Sequence, residues 1–354
     1  MGMSQHCDEG RSLVKVVIAD FSFVVQCMDG SGYWATHRKP EPRSRRSLFE
    51  QPYDWGFHIY SIGVHLLDKG LATEVEYWDY DSQRSTSYLA NGVLRVTFLG
   101  LEDVFHYLER YGEPDLFVNY GPAGRPLLQR LEGRCFRVHV PCLRTRQEGV
   151  DNFGAECYLV DGEEFLDERS MMYVPVVNTR AIRPSACEKR RDFVYLASNY
   201  AGKRHDLLLD AVRGTTLTGH LHPVDASSLD LSDTRVTTSQ WDKIDVVELL
   251  QSSRIAVYPA DDTSNPAAMW ECVAAGLPLV VNADIKGGKH VVVPGVTGEL
   301  AAPDRFREVM QQALANRDRY RPREYFEQHW DTETMLESYL AFFTRMGWTR
   351  PGSS

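Results

Sequence analysis

The sequence predicts an α/β protein built from two wound parallel-sheet domains in tandem. Three observations predict it. Short apolar strands alternate with helices along the whole chain. The hydrophobic pattern lapses at 178–191 (NTRAIRPSACEKRR) and then starts afresh. In the second half, a run from Tyr258 to Leu300 passes from strand to polar loop, helix, glycine, strand and Gly-Gly loop. Two such units place a ligand cleft at the carboxyl ends of their strands.

The elements follow in order. Residues 13–27 (LVKVVIADFSFVVQC) predict a buried strand and its exit. A long connection follows, MDGSGYWATHRKPEPRSRRSLFEQP, glycine-bearing at its start, then charged and proline-bearing. Loops of that length are usually functional. Residues 56–69 have helical periodicity and stop at Gly70. Strands are expected at 75–80, 94–98, 114–121, 135–141, 156–162 and 171–177, with helices at 101–112 and 125–131. After the linker come the strand DFVYLASN, the helix HDLLLDAV, the strand LTGHLH, the helix DKIDVVELLQSS and the strand RIAVYP. PAAMWECVAAG is a helix, PLVVNA a strand and DRFREVMQQALANRDRY an amphipathic helix. Residues 323–346 form an aromatic-rich helical stretch broken near Trp330.

Composition narrows the class. The 354 residues, 43% of them hydrophobic, suffice for two cores. A net charge of -10 argues against nucleic acid as a partner, because backbone contacts need a positive field. Seven scattered cysteines show neither zinc-site nor redox spacing, so reduced thiols in a cytoplasmic protein are expected. The first twelve residues lack the apolar core of a signal peptide and are expected to be disordered. No run approaches the length of a membrane span.

Several residues carry candidate chemistry. Glu271 is the lone carboxylate of an otherwise apolar helix. A buried carboxylate must find donors, and ribose hydroxyls would supply them. A surface glutamate or a structural ion pair is the alternative. Lys203 and Arg204 stand at a strand-to-helix junction, where two cations and a helix N-terminus suit a diphosphate. A solvated basic pair is the alternative there. Asp262, Thr263, Ser264 and Asn265 exceed what one helix cap before Pro266 requires, and the excess could hold sugar hydroxyls. Gly287 and Gly288, before Lys289 and His290, permit close ligand approach. Gly32, closing DGSG at 29–32, would leave room at the cleft floor. His139 ends a strand, either as a core histidine or as a polar group facing the cleft. His37, Arg38, Lys39, Arg43, Arg45 and Arg46 form a basic loop, either an acceptor clamp or a solvated segment. No P-loop, HExxH or GxSxG motif occurs.

Taken together these motifs resemble the family-4-like (group 1) retaining glycosyltransferases of GT-B architecture. The resemblance is strongest from 171 to 343. YVPVVNTRAIRP resembles the segment closing that family's first domain, and LASNYAGKRHDLLLDA its donor-phosphate loop, with Lys203 at the phosphate-binding lysine. YPADDTSNPAAMWECVAAGLPLVV resembles the segment bearing two glutamates eight residues apart, with Glu271 at the second, which binds the nucleotide ribose. GGKHVVVPGVTGEL resembles the loop, strand and glycine turn that follow. Thr263 replaces the first glutamate, Ser198 an arginine and His290 a further glutamate; Arg204 would stand in for the arginine.

The resemblance implies a first domain over 13–180 on the acceptor side, a nucleotide-sugar domain over 181–325, and a C-terminal helix over 326–354 that crosses back. It implies transfer of a sugar, with retention, from a nucleotide diphosphate sugar to a hydroxyl-bearing acceptor. No cofactor beyond that donor and no metal is expected. Lys203 and Arg204 would stabilise the departing diphosphate, Glu271 would position the nucleoside, and Asp262, Thr263, Asn265, Gly287, Gly288 and His290 would orient sugar and phosphates. His139 would hydrogen-bond the sugar or guide the acceptor's proton. A sugar-nucleotide epimerase, or an inactive sugar-nucleotide-binding subunit, remains an alternative at this level.

Overall fold

The computed structural model describes residues 15–20, 61–63, 65–66, 69–79, 94–98, 108–110, 112–121, 125–141, 154–179, 181–198, 201–240, 245–261 and 265–349. Gly32, the basic loop from His37 to Arg46, and Asp262, Thr263 and Ser264 lie outside them.

The first sheet has seven strands: β1 (Lys15–Asp20), β2 (Glu74–Asp79), β3 (Leu94–Phe98), β4 (Leu116–Tyr120), β5 (Phe136–Val140), β6 (Cys157–Val160) and β7 (Ser170–Met172). Their spatial order is β3-β2-β1-β4-β5-β6-β7, and every pairing is parallel. The second sheet has six: β8 (Arg191–Leu196), β9 (Thr218–His222), β10 (Arg235–Thr238), β11 (Ser253–Tyr258), β12 (Leu279–Asn282) and β13 (Gly298–Ala301). Its order is β10-β9-β8-β11-β12-β13, again parallel throughout.

Parallel strands are covered on both faces, so they read as apolar runs rather than alternations. Leu116–Tyr120, Cys157–Val160 and Leu279–Asn282 are buried at every position. Packing between β8 and β9 leaves no room for a side chain at Gly219. A Cβ there would stand 2.0 Å from the Phe193 ring, its register partner.

In each sheet the chain winds outward in one direction and then restarts on the other side of its first strand. The switch points fall between β1 and β4 and between β8 and β11. Ligands of wound sheets bind beyond the carboxyl ends of the strands at such points.

Helices α1 (Arg125–Arg130), α2 (His205–Val212), α3 (Val246–Gln251), α4 (Ala267–Ala274) and α5 (Phe306–Ala315) fill the connections. The expected C-terminal stretch is two helices, α6 (Pro322–His329) and α7 (Thr332–Arg345). Trp330 falls at the break, and Asp331 caps α7 by accepting from the Glu333 amide.

Helix α7 returns to the first sheet. Tyr339 is fully buried; its hydroxyl donates to the Val174 carbonyl at 2.6 Å and accepts from the Val174 amide at 2.7 Å. Phe343 meets Phe136 of β5, and Lys69 pairs with Glu333 and Glu337. The crossing helix is thus held by apolar packing and a saturated buried hydroxyl.

Three expectations need correction. The strand over 171–177 stops at Met172, because beyond the Tyr173 amide, which still donates to Val160, the backbone takes partners from Asn265 before α4 and from α7. The VVV run at 291–293 is not a strand: Lys289–Val291 is a 3-10 turn, and the strand is Gly298–Ala301. β10 was not expected, since RVTT is a short edge strand with little apolar content. The helix placed over DKIDVVELLQSS is described from Val246, capped by Asp245.

Replacing Tyr339 by Phe strips Val174 of both partners in a buried setting. An unsatisfied buried group costs about 1–3 kcal/mol. The expected outcome is a melting temperature several degrees lower for Tyr339→Phe, read by circular dichroism.

Candidate functional site

Three loops leave the carboxyl ends of β8, β11 and β12 and meet at the second switch point. The first turns through the 3-10 segment Ala201–Lys203 into α2. The second carries Asp261 and enters α4 through Asn265 and Pro266. The third passes Gly287 and Gly288. Backbone hydrogen bonds knit them: the Asp261 amide donates to the Gly202 carbonyl and the Lys286 amide to the Asp261 carbonyl, each at 3.2 Å.

Lys203 stands at the end of the first loop, and its carbonyl accepts from the Tyr195 hydroxyl at 2.8 Å. Arg204 caps α2 in the left-handed region, at φ 49° and ψ 46°. Its guanidinium reaches Asp206 at 3.2 Å and Asp261 at 2.8 Å. Those two carboxylates raise its pKa further.

Glu271 lies on α4, half-buried among buried Met269, Trp270, Cys272 and Val273. Burial pushes the Tyr258 hydroxyl well up, with Cys272 and then the charge of Glu271 adding to it.

Asn265 is buried and its amide is spent on protein partners. Nδ2 donates to the Tyr173 carbonyl at 2.6 Å, and Oδ1 accepts from Trp270 Nε1 at 2.7 Å. The Gly288 amide donates to the Asp161 carbonyl at 3.1 Å. Gly288 has φ +80°, and a Cβ there would lie 2.6 Å from Met269 Cε and 2.9 Å from Asn265 Oδ1. Its glycine is thus demanded by both dihedral and space. His290 packs beside Trp270 at 5.1 Å. Burial lowers the His290 pKa to about 4, opposed by a hydrogen bond to the Tyr173 backbone. Asn265, Gly288 and His290 therefore bind loops of the second unit to the end of the first sheet.

His139 belongs to the interior. It is 0% exposed on β5, opposite Asn119 of β4. The Asn119 amide donates to the Gly121 carbonyl at 2.8 Å and to His139 Nδ1 at 2.9 Å. An amide nitrogen can only donate, so Nδ1 accepts and the neutral ring carries its proton on Nε2. Burial lowers its pKa to about 3. The expectation of a polar group facing the cleft gives way here to a neutral core histidine.

The structure thus brings Lys203, Arg204 and the Asp261 loop together, and it draws Asn265, Gly288 and His290 toward the first sheet. Residues not anticipated are Asp261, Asp161, Tyr173 and Trp270. Asp261 was within reach, as an acid beside the polar loop. The Asn265–Tyr173 contact spans 92 positions and leaves no local signature. Among the described residues no group of three His, Cys, Asp or Glu is placed to hold a metal ion. No described helix is long and apolar enough to cross a membrane.

Comparison with known proteins follows the same lines. Residues 225–329 match the family profile described as glycosyl transferases group 1. No protein with a curated description matches the sequence. Among solved structures, sucrose-phosphate synthase from Thermosynechococcus elongatus is similar at 15% identity and a TM-score of 0.65, covering 94% of this chain and 99% of its own. The Anabaena protein HepE, solved with UDP and glucose, is similar at 10% identity and a TM-score of 0.66, covering 94% of this chain and 100% of its own. AviGT4, a glycosyltransferase involved in avilamycin A biosynthesis, is similar at 16% identity and a TM-score of 0.61, covering 94% and 98%. Two wound parallel sheets with a returning helix define the GT-B architecture, shared over nearly the full chain. The fold is thus of GT-B type, and residues 225–329 carry the match to the group 1 glycosyl transferase profile.

Two outcomes follow. Gly288→Ala should lower the melting temperature, because a left-handed non-glycine costs about 1–3 kcal/mol and the Cβ displaces Met269 or Asn265. Stability should also fall in acid through His139, whose ordinary pKa of 6.5 drops to about 3 on folding. Below 6.5 the unfolded chain takes up a proton that the native state refuses. That contribution is complete above 6.5 and amounts to a loss of about 2 kcal/mol by pH 5. Melting curves from pH 7 to 5 should show the decline, and a shallower one for His139→Asn.

Proposed function

We propose that this protein is a glycosyltransferase that moves a sugar, with retention, from a nucleotide diphosphate sugar to a hydroxyl-bearing acceptor, a soluble small molecule being the first class to test. The carrying observation is the meeting of the Lys203 loop, the α4 entry and the Gly287–Gly288 loop at one switch point. A diphosphate there gains the Lys203 ammonium and the field of backbone N–H groups. Glu271, the carboxylate of α4, is the acceptor for ribose hydroxyls.

In the step itself the bond between the anomeric carbon and the diphosphate oxygen breaks, and an acceptor oxygen bonds to that carbon. The acceptor's proton passes to the departing phosphate. Lys203 offsets the charge that grows on the leaving group. His139, neutral and enclosed, is not needed for that proton. Asp262 and Thr263 remain proposed contacts of the donor sugar. Asn265, Gly288 and His290 contribute by shaping the loops. UDP in the HepE structure makes a uridine diphosphate sugar the first donor to try. A cytoplasmic enzyme suits the expected reduced thiols.

The test is calorimetry against a panel of nucleotide diphosphate sugars, followed by product analysis with candidate acceptors. Lys203→Ala should weaken diphosphate binding at least tenfold, and Glu271→Gln should weaken the nucleotide while leaving inorganic diphosphate unaffected. Unchanged binding in both variants would overturn the site. Nuclear magnetic resonance of the product's anomeric centre decides retention.

A further inference from the structure

We propose that Arg204 is a positioning residue: it staples the Lys203 loop to the Asp261 loop across the β8/β11 switch point and does not itself meet the donor's diphosphate. The inference rests on the transferase reading above and reassigns one of its two cations.

Four observations carry it. Arg204 is a long side chain in a conformation that favours glycine, and outliers of that kind persist only where the surroundings impose them. Its guanidinium is already distributed: Nε and Nη2 donate to Asp206 and Nη1 to Asp261. Two carboxylates already occupy the donors of this one cation, so a diphosphate would have to displace one of them to be held by it. The Asp261 pair spans loops 57 positions apart, and the backbone bond from the Asp261 amide to Gly202 lies beside it.

The neighbouring Lys203 gains from this arrangement. Its carbonyl is held by Tyr195 from within β8, and the residue after it is held by Asp261. The peptide link that follows the lysine is therefore held at its carbonyl and through the side chain of the next residue. Both members of the Arg204–Asp261 pair are about one-third exposed, at 32% and 35%, so the pair is reachable by solvent without being freely mobile. Its contribution is to hold a geometry more than to add stability.

The test is a charge reversal. Arg204→Asp and Asp261→Arg are made singly and together; aspartate tolerates the left-handed conformation. Amide hydrogen exchange on the ligand-free protein reads the staple directly. Each single variant should speed exchange at the amides of positions 261 and 286 at least tenfold, and the double variant should return it to within about threefold of the original. Uridine diphosphate titrated into the same proteins should follow the same pattern of loss and recovery. Recovery in the double variant is not expected of a residue that touches phosphate, because a carboxylate would then stand where the cation belonged. The milder Asp261→Asn gives the same reading if a reversed variant does not fold. Unchanged exchange in Asp261→Asn, or a double variant no better than Arg204→Asp, would overturn the proposal. If exchange follows the staple but Lys203→Ala leaves diphosphate binding intact, the transferase reading of the site fails instead.

Discussion

The backbone at Tyr173 and Val174 must find hydrogen-bond partners after β7 has ended, and much of the molecule is arranged around that need. Buried peptide groups without partners are too costly to persist. The Tyr173 amide still reaches Val160, but the Tyr173 carbonyl is satisfied by Asn265 from the second unit. Val174 is satisfied entirely by the hydroxyl of Tyr339 on the returning helix. One short stretch of main chain thus joins the end of the first sheet, the entry to α4 and the C-terminal helix.

This arrangement sets the character of the site. Asn265 stands immediately before α4, so the helix that bears Glu271 is anchored to the first sheet at its start. Gly288 is anchored likewise through Asp161. The loops that would surround a donor are therefore not independent of the first sheet. A displacement of either sheet relative to the other must strain or break these bonds. Among the described residues, backbone hydrogen bonds tie Asp261 to Gly202 and to Lys286, and Gly288 to Asp161, which favours preorganised recognition over folding on binding.

Charge follows a similar logic. The acidic balance of the whole chain does not extend evenly to the β8/β11 switch point, where Lys203 and Arg204 stand beside Asp206 of α2 and Asp261 of the neighbouring loop. Arg204 is matched by two carboxylates, Asp206 in the first turn of α2 and Asp261 on the neighbouring loop. The buried histidines take the opposite course. His139, His205 and His290 are driven toward neutrality by burial, and they serve packing and hydrogen bonding.

Much of the fold was legible in the sequence, because its cause is local. Apolar runs such as VVIA and LVV mark strands buried on both faces, and the break at Trp330 is written in the caps on either side of it. The lapse near 178–191 marked where one wound unit ends, and the tandem repetition of strands and helices implied the rest. Short edge strands such as RVTT escaped notice since little apolar surface is at stake there. The site was legible as a set of residue types at strand ends, and no further. Which way each side chain is committed depends on partners brought in from elsewhere in the chain. Nothing near Asn265 reveals that its amide closes on Tyr173, and nothing near His139 reveals that Asn119 receives it across the strand pair. Periodicity and capping act within a few residues, so the sequence determined the architecture by itself. Hydrogen-bond saturation acts across the whole buried interior, so only the tertiary structure decided which polar residues, Asn265 and Asn119 among them, are committed to protein partners.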